Sequence, residues 1–269
     1  MSKTPSASAG AIHTSIDGST GWLVIDNEAK RNALTLAMWK DLPGAVQNLA
    51  DDSQVRVIVV RGAGSTSFVA GADISEFKET RSTAERAQAY DAINVAAFKA
   101  LKTATKPTLA MIDGHCLGGG LGIALACDLR IATKGSVFGI PAARLGIAYP
   151  LEAMSDIIQS VGPMNAKRLL FTAERIGTGE ALRLGIIGEE VNEKTELEER
   201  VSSLCASLAA NAPLTQRAAK RAINAIASGS RPDDMCGAVD AANACFGSKD
   251  FEEGRNAFLE KRAPTFCGK

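Results

Sequence analysis

The chain has 269 residues, which is enough for one large α/β domain or for a core with a smaller appendage. Its 30 basic and 30 acidic residues balance, which disfavours the basic face typical of nucleic-acid-binding proteins. The six cysteines form no Cys-x-x-Cys pair and there are only two histidines, which disfavours a metal site. The sequence has no long apolar segment, which disfavours a signal peptide and a membrane span.

The N-terminal part of the sequence predicts a disordered segment, a hairpin and a helix. Residues 1–10 are rich in serine and alanine, and we expect them to be disordered. Apolar residues cluster at 12–16 and 22–26 on either side of a glycine-containing turn, which is typical of a β-hairpin. Thr35 is a suitable N-cap for a helix of about four turns, which we expect to bend or break near Pro43.

The middle of the chain alternates between short apolar strands and helices. A β-branched run at residues 55–61 and an apolar run at residues 107–112 predict buried parallel strands, and an amphipathic helix ending near residue 102 connects them. Two parallel strands joined by a helix call for a right-handed crossover. Further strands are expected at residues 128–132, 137–140, 175–176 and 189–191. Further helices are expected at residues 151–161, 165–171 and 179–184.

From residue 196 onward the pattern is helical, with breaks at Pro213, residues 229–232 and Gly247. Four helices with no sheet to cover predict a separate helical layer. The sequence therefore divides into a disordered N-terminus, an α/β core over residues 11–195 and a helical region over residues 196–269. Whether that region forms an oligomer interface or a lid over the sheet stays open at this point.

A glycine-rich segment joins the second of the buried strands to a helix of small residues. Residues 118–122 contain four glycines, so several backbone N–H groups lie unpaired at a helix N-terminus, where an anion is favoured. The dinucleotide pattern fails because Ile123 stands where its third glycine is needed, and no phosphate-loop lysine follows. A turn that only lets helix and strand pack closely remains an equal alternative.

A second segment, Ser-Phe-Val-Ala-Gly-Ala-Asp-Ile at residues 67–74, also follows a buried strand. Together the two segments resemble the paired signature of the enoyl-CoA hydratase/isomerase (crotonase) family. The resemblance extends from about residue 12 to the C-terminus. Further matching segments are residues 31–34, 127–132, 145–147, 180–187 and 253–262.

The resemblance implies a fold, a substrate and an assembly. The fold is a crotonase-like spiral of repeated β-β-α units with a C-terminal helical region. The substrate is an acyl-CoA thioester of fatty-acid metabolism, with coenzyme A entering as part of the substrate and no separate cofactor. The C-terminal helices are implied to form a homotrimer or a dimer of trimers. We expect a cytoplasmic protein with free thiols and with neither a nucleic acid nor a membrane as partner.

The resemblance also implies an oxyanion hole made of two backbone N–H groups. In the family, the residue after the glycine of the Ala-Gly-Ala-Asp loop and the middle glycine of the triple glycine hold the thioester oxygen as it becomes an enolate. In this sequence these positions are Ala72 and Gly119.

The acid/base positions depart from the hydratase pattern. The two glutamates of the family's hydratases correspond to Gly122 and Ala142, and neither residue can transfer a proton. True hydratase activity is therefore doubtful. Residues 145–149 and the C-terminal segment are similar to the methylmalonyl-CoA decarboxylases of the family, which implies that Tyr149 lies beside a departing carboxylate. Those enzymes differ in having a histidine at position 72 and a glutamate at position 122.

Three other groups of residues are candidates for the site. Glu152 is an alternative base, although an acidic residue in a first helical turn also interacts well with the helix dipole. Asp73 matches a family position but is also a suitable loop cap, and His115 either packs as a satisfied core histidine or reaches the substrate. The residues implied to contact coenzyme A are Lys30, Arg31, Ala70, Asp73, Ile74 and, from another subunit, Phe258 and Lys261.

Three functions remain open from the sequence. The first is an acyl-CoA lyase or isomerase that uses the oxyanion hole, with an acyl-CoA decarboxylase as one form of it. The second is a CoA-thioester-binding protein that has lost catalysis together with its glutamates. The third is RNA binding, known for one branch of the family, which the balanced charge disfavours.

Overall fold

The structure is a computed structural model that describes residues 10–229 and 235–269. The predicted disordered segment, apart from Gly10, and most of the predicted break at 229–232 lie outside the described residues. The strands are β1 (Ala11–Asp17), β2 (Thr20–Asp26), β3 (Val57–Gly62), β4 (Ser67–Val69), β5 (Thr108–Ile112), β6 (His115–Leu117), β7 (Leu129–Thr133), β8 (Val137–Gly139), β9 (Arg175–Gly177) and β10 (Glu189–Val191). The helices are α1 (Leu36–Asp51), α2 (Phe77–Thr80), α3 (Ala84–Thr103), α4 (Gly119–Ala126), α5 (Ala142–Leu145), α6 (Leu151–Thr172), α7 (Thr178–Leu184), α8 (Lys194–Ala210), α9 (Pro213–Ala227), α10 (Cys236–Phe246) and α11 (Lys249–Glu260).

Two sheets share the strands of a repeated unit. One sheet has six strands in the order β1-β2-β3-β5-β7-β10, and the other has four in the order β4-β6-β8-β9. Strands β3, β5 and β7 of the first sheet are each followed by a short strand of the second sheet and then by a helix. This arrangement confirms the expected spiral of β-β-α units. The short strands β4 and β6 were not expected from the sequence.

The six-stranded sheet is apolar on both faces. In β3, Ile58 and Val60 belong to the large central core, whereas Val57 and Val59 belong to a second core on the opposite face. A parallel strand covered on both sides needs apolar residues at every position rather than at alternate positions. This requirement explains the continuous β-branched run that predicted the strand.

The first helix of the C-terminal region covers this sheet. Leu197, Val201 and Cys205 on one stripe of α8 pack in the second core with the outer residues of the sheet. The expectation that all four C-terminal helices lack a sheet to cover is therefore wrong for α8. A stripe of apolar residues at helical spacing shows that a helix buries one face, but not which surface it meets. The assignment of the later helices to an oligomer interface stays a prediction.

Helix α1 begins at the predicted cap, where the Thr35 hydroxyl accepts a hydrogen bond from Met38 N at 3.3 Å. The expected break near Pro43 is wrong, because α1 continues without interruption to Asp51. Proline removes one helical hydrogen bond, but the buried side chains on either side of it keep the helix against the core. These side chains are Met38, Trp39, Leu42, Val46 and Leu49.

Helix α6 contains a sharp kink at Gly162, which has φ 74° and ψ 163°. Only glycine adopts this region without strain, and no atom lies within 4 Å of the position that a Cβ would take. We therefore expect Gly162→Ala to lower the free energy of unfolding by about 1–3 kcal/mol through backbone strain alone. Denaturant unfolding measures the change.

Gly179→Ala is the matched control, because Gly179 lies in α7, has no positive φ and also has open space around it. There the added methyl group should stabilise the helix by about 0.5–1 kcal/mol. Equal effects of the two substitutions would contradict the assignment of strain to the kink.

Candidate active site

A cavity of about 90 Å³ lies where the segment after β4 meets the N-terminus of α4. β4 and β6 are parallel neighbours in the four-stranded sheet, so their carboxyl ends reach the same edge. The two glycine segments that follow these strands therefore meet at that edge. The cavity is lined by Trp39, Ala70, Gly71, Ala72, Ile74, Phe77, Arg81, Asp91, Asn94, Phe98, Gly118, Gly119, Pro141, Ala142, Leu145, Ile147, Ala148, Tyr149, Pro150 and Ala153.

The turn into α4 is shorter than the sequence suggested. We expected β5 to lead directly into a glycine loop, but β6 intervenes and leaves Gly118 as the turning residue. Gly118 has φ 53° and ψ −121°, which a residue with a Cβ rarely adopts. This conformation starts the helix directly at Gly119.

The backbone around Ala72 is fixed by a bridge to residue Leu34. Leu34 N donates to Gly71 O at 2.8 Å, and Asp73 N donates to Leu34 O at 2.8 Å. In a parallel bridge of this kind, the residue between the two bonded peptides directs its own N–H to the opposite side. The N–H of Ala72 therefore faces away from Leu34.

The N–H of Gly119 lies beside that of Ala72. A Cβ built on Gly119 would lie 3.9 Å from Ala72 N, and one built on Gly71 would lie 3.6 Å from Gly119 N. Gly119 is the first residue of α4, where the helix supplies no acceptor for its N–H. Within the described part of the chain, neither amide donates to a protein acceptor. Two free donors thus stand together at the cavity.

The glycines of this turn also serve close packing. A Cβ on Gly120 would lie 2.1 Å from Val69 O, and one on Gly119 would lie 2.8 Å from Cζ2 of Trp39. Distances below 3 Å do not occur between real Cβ atoms and their neighbours. The two interpretations of the segment, close packing and exposed donors, therefore hold together.

The two positions that the resemblance assigns to the hydratase glutamates are apolar in the structure. Ala142 lines the cavity, and a Cβ on Gly122 would lie 2.6 Å from Cζ of Phe98, whose ring also lines it. The phenyl ring thus fills the space toward which a side chain at position 122 would point. Among the described residues that line the cavity, Asp91 is the only carboxylate, and it is paired with Arg81 at 2.5 Å.

The structure separates the two acid/base candidates. Tyr149 lines the cavity, and its hydroxyl lies 3.7 Å from the position of a Cβ on Gly118. Burial raises the pKa of Tyr149 well above its usual value, so the phenol stays protonated at neutral pH. Glu152 does not line the cavity. It is exposed in the first turn of α6, where its charge interacts with the helix dipole. We therefore drop Glu152 from the candidate site.

Among the candidates for coenzyme A, Ala70 and Ile74 line the cavity. Lys30 Nζ lies 2.6 Å from Oδ2 of Asp73, whose Oδ1 accepts hydrogen bonds from the backbone and the hydroxyl of Ser75. Burial alone would raise the pKa of Asp73, but these hydrogen bonds outweigh it and hold the pKa below its usual value. Asp73 thus braces its loop, as its alternative interpretation predicted.

The remaining candidates lie outside the cavity. Arg31 is exposed and has φ 55° at the end of a short turn of helix, where its carbonyl accepts from Ala70 N. Phe258, which is 83% exposed, and Lys261 lie at the end of α11 and do not line the cavity of their own chain. His115 lies near Ser67 and the Thr66 carbonyl oxygen rather than in the cavity lining. The approach of α11 to another subunit's substrate stays a prediction.

Sequence reasoning missed a group of polar residues in the cavity. Arg81 and Asp91 stand where only a polar connection and a helix were expected, and Asn94 lies on the buried face of α3. A signal was present, because Asn94 follows Tyr90 by four residues on that otherwise apolar face. A buried polar side chain at such a position calls for a partner.

With the geometry in place, comparison with known proteins decides the family. A family model described as enoyl-CoA hydratase/isomerase matches residues 17–269. The chain belongs to the enoyl-CoA hydratase/isomerase family. This family is one of acyl-CoA enzymes, and membership in it confirms the resemblance found in the two glycine segments.

Individual relatives of the enoyl-CoA hydratase/isomerase family cover almost the whole chain. A crotonyl-CoA hydratase from Syntrophomonas wolfei is 34% identical over 247 residues, which are 92% of this chain and 94% of the relative. A short-chain-enoyl-CoA hydratase from Clostridium acetobutylicum is 33% identical over 246 residues, which are 91% and 93% of the two chains. The crystal structure of an enoyl-CoA hydratase from Bacillus anthracis has a TM-score of 0.87 and 28% identity, covering 96% of this chain and 99% of that one.

Two further observations concern the described residues as a whole. None of the helices in this part of the chain combines the length and apolar composition that crossing a bilayer requires. No group of three or more His, Cys, Asp or Glu side chains in the described ranges could hold a metal ion.

Proposed function

We propose that the chain stabilises the enolate of an acyl-CoA thioester between the N–H groups of Ala72 and Gly119. A single observation supports this proposal. The N–H groups of Ala72 and Gly119 lie next to each other at the cavity, and neither donates to a protein acceptor among the described residues. Donors that are fixed before the reaction and lie in a largely apolar site favour a developing negative charge over the neutral carbonyl. The thioester oxygen is the atom on which that charge appears.

We further propose that the reaction is not the hydration of an enoyl-CoA. Adding water across a double bond needs groups that activate the water and deliver the proton, which typically contribute about 10²–10⁴-fold to the rate. Ala142 and Gly122 offer no such group, and the carboxylate of Asp91 is held by Arg81. Isomerisation through the enolate needs one group that moves a proton from C2 to C4, and decarboxylation needs no base to form the enolate.

Decarboxylation is the second candidate, and the position of Tyr149 favours it. When a carbon–carbon bond to a carboxylate breaks, its electron pair forms the enolate, carbon dioxide leaves, and no base is needed. A protonated phenol in the cavity suits both the departing carboxylate and the later return of a proton to carbon. A protein that binds CoA thioesters without turnover is the remaining alternative.

The proposal includes the position of coenzyme A and the assembly. Ile74 lines the cavity, whereas Lys30 and Arg31 lie outside it on the segment before α1, which is bonded to the loop after β4 through Asp73 and Ala70. A phosphate-bearing chain would meet the positive charge of Arg31 there. Phe258 and Lys261 would complete this site from a neighbouring subunit of a trimer or a dimer of trimers. Their exposure on α11 leaves them available for that contact.

A turnover panel tests the proposal. We expect slow or absent hydration of crotonyl-CoA and measurable turnover of a 3-enoyl-CoA, malonyl-CoA or methylmalonyl-CoA, with binding measured in parallel by calorimetry. Turnover of the malonyl compounds alone would favour decarboxylation, and turnover of the 3-enoyl compound alone would favour isomerisation. Binding of every compound without turnover would favour the non-catalytic alternative. Fast hydration of crotonyl-CoA would contradict the role given to the missing glutamates.

A further inference from the structure

Four buried donor atoms at or beside the cavity have no hydrogen-bond partner within 3.5 Å among the described residues. They are Nε1 of Trp39, Nε of Arg81, the hydroxyl of Tyr90 and Nδ2 of Asn94. Trp39, Tyr90 and Asn94 are 1%, 2% and 9% exposed. Buried polar groups in native proteins are almost always paired, so four unpaired ones at one place call for an explanation. We call these four residues the donor cluster.

The members of the donor cluster lie together. Trp39, Arg81 and Asn94 line the cavity, and the guanidinium of Arg81 stacks over the ring of Tyr90 with its Cζ 4.5 Å from the ring centroid. Burial raises the pKa of Tyr90 to about 12, although the charge of Arg81 and the approach of the Trp39 and Asn94 side chains as hydrogen-bond partners oppose this rise. The Tyr90 hydroxyl is thus near all three of the other members.

The cluster can serve only a particular kind of ligand. Indole and guanidinium nitrogens are donors and cannot accept, and the phenol and the amide each add another N–H or O–H. An alkyl chain placed against these groups would bury them permanently without partners, which is unfavourable. An oxygen that accepts hydrogen bonds would satisfy them.

We infer that the donor cluster binds an uncharged oxygen carried by the acyl group of the substrate, such as a ketone or another carbonyl oxygen. This inference rests on the proposed function, because the acyl group enters the cavity only when the thioester is held at Ala72 and Gly119. It keeps the enolate step but narrows the substrate class to an acyl-CoA that bears a neutral oxygen, and it therefore disfavours the 3-enoyl and the carboxylate substrates among the reactions left open above.

The charge of the site favours a neutral group over a carboxylate. Asp91 Oδ1 lies 2.5 Å from Nη2 of Arg81, so the positive charge of the cluster is already balanced. Among the other described residues that line the cavity, none carries a charge. A terminal carboxylate would bring a second negative charge into this largely buried place with no cation left to pair with it.

Two sets of isosteric acyl-CoA compounds test the inference. Isovaleryl-, acetoacetyl- and malonyl-CoA form one set, and isocaproyl-, levulinyl- and succinyl-CoA form another with the oxygen one carbon further along. Within each set the same branch ends in a methyl group, a neutral oxygen or a carboxylate. We expect the oxo compound of at least one set to bind up to about tenfold more tightly than its methyl isostere, as one or two added hydrogen bonds allow. Calorimetry measures the dissociation constants.

Asn94→Leu replaces the amide by an apolar group of similar shape. This variant should lower the affinity for the oxo compound and raise it for the methyl isostere, and its melting temperature should not fall, because Nδ2 loses no hydrogen bond. Asn48→Leu, an exposed position on α1, is the matched control and should keep the wild-type preference. If Asn94→Leu does not fold, Tyr90→Phe provides the same comparison by removing the hydroxyl alone.

Each outcome decides the inference. Loss of the oxo preference in Asn94→Leu or Tyr90→Phe, but not in Asn48→Leu, supports it. Equal binding of the oxo and methyl compounds by the wild-type protein overturns it while leaving the proposed function intact. Tightest binding of the carboxylate compounds overturns the assignment of a neutral group. Failure to bind any of the six compounds overturns the proposed function and this inference together.

Discussion

Gly119→Pro is expected to reduce turnover of every substrate by about 10²–10³-fold, the usual effect of losing one oxyanion donor. Proline has no N–H, and the N–H of Gly119 is one of the two donors proposed to hold the enolate oxygen. The helix itself tolerates the change, because Gly119 is the first residue of α4 and proline is favoured at that position. Steady-state kinetics on the substrates that the wild-type protein turns over measure the loss.

Gly119→Ala separates the lost N–H from the added bulk. Both substitutions place a Cβ about where it would meet Cζ2 of Trp39, at 2.8 Å, but alanine keeps the donor. We expect Gly119→Ala to retain much more activity than Gly119→Pro, with similar circular dichroism and similar melting temperatures. Equal activity in the two folded variants would remove Gly119 from the oxyanion hole.

The order of the longer elements could be predicted from local patterns. The hairpin, the run over β3 and the cap at Thr35 follow from residue preferences within a few positions of one another. The two glycine segments could be placed side by side only through a resemblance to a known family. Their parallel strands β4 and β6 have three residues each, which is too short for a recognisable pattern.

The rest of the site depends on contacts between distant parts of the chain. Phe98 fills the space beside Gly122, although 24 positions separate them, and nothing local to either residue indicates the contact. Arg81 was interpreted as part of a polar connection, whereas its pairing with Asp91 and its stacking on Tyr90 bury most of it. Tertiary packing, rather than local preference, thus determines which polar groups face the cavity.

The cavity combines a polar end that was not expected with apolar positions where carboxylates were expected. A glutamate at position 122 would compete with the ring of Phe98 for one space, so the loss of the carboxylate and the presence of the phenyl ring are structurally linked. The same ring packs edge-on against Trp39, with centroids 5.6 Å apart. Trp39 in turn carries one of the donors of the cluster. The packing at position 122 is therefore connected through Phe98 and Trp39 to the proposed donor cluster.

Restoring the glutamates should show this linkage directly. We expect the combination of Gly122→Glu, Ala142→Glu and Phe98→Ala to raise the rate of crotonyl-CoA hydration by about 10²-fold or more, within the range that acid–base groups contribute. Removing the phenyl ring creates the space that the new side chain at position 122 needs, because a Cβ there would lie 2.6 Å from Cζ of Phe98. The measurement is the decrease in enoyl absorbance with and without each substitution.

Variants that carry only some of the three substitutions test this linkage more sharply than the triple variant alone. Gly122→Glu and Ala142→Glu without Phe98→Ala should give a destabilised protein with little gain in hydration, since the new carboxylate must displace a buried ring. Phe98→Ala alone should lower stability by about 3–5 kcal/mol because it leaves a cavity, and it should give no hydration, so it controls for access to the site.

If the two glutamates alone restored hydration, the ring of Phe98 would not be the obstacle. If the triple variant folded and hydrated no faster than the wild-type protein, positions 122 and 142 would not face the reacting carbon atoms, and the comparison with the hydratases of the family would fail at the level of the reaction.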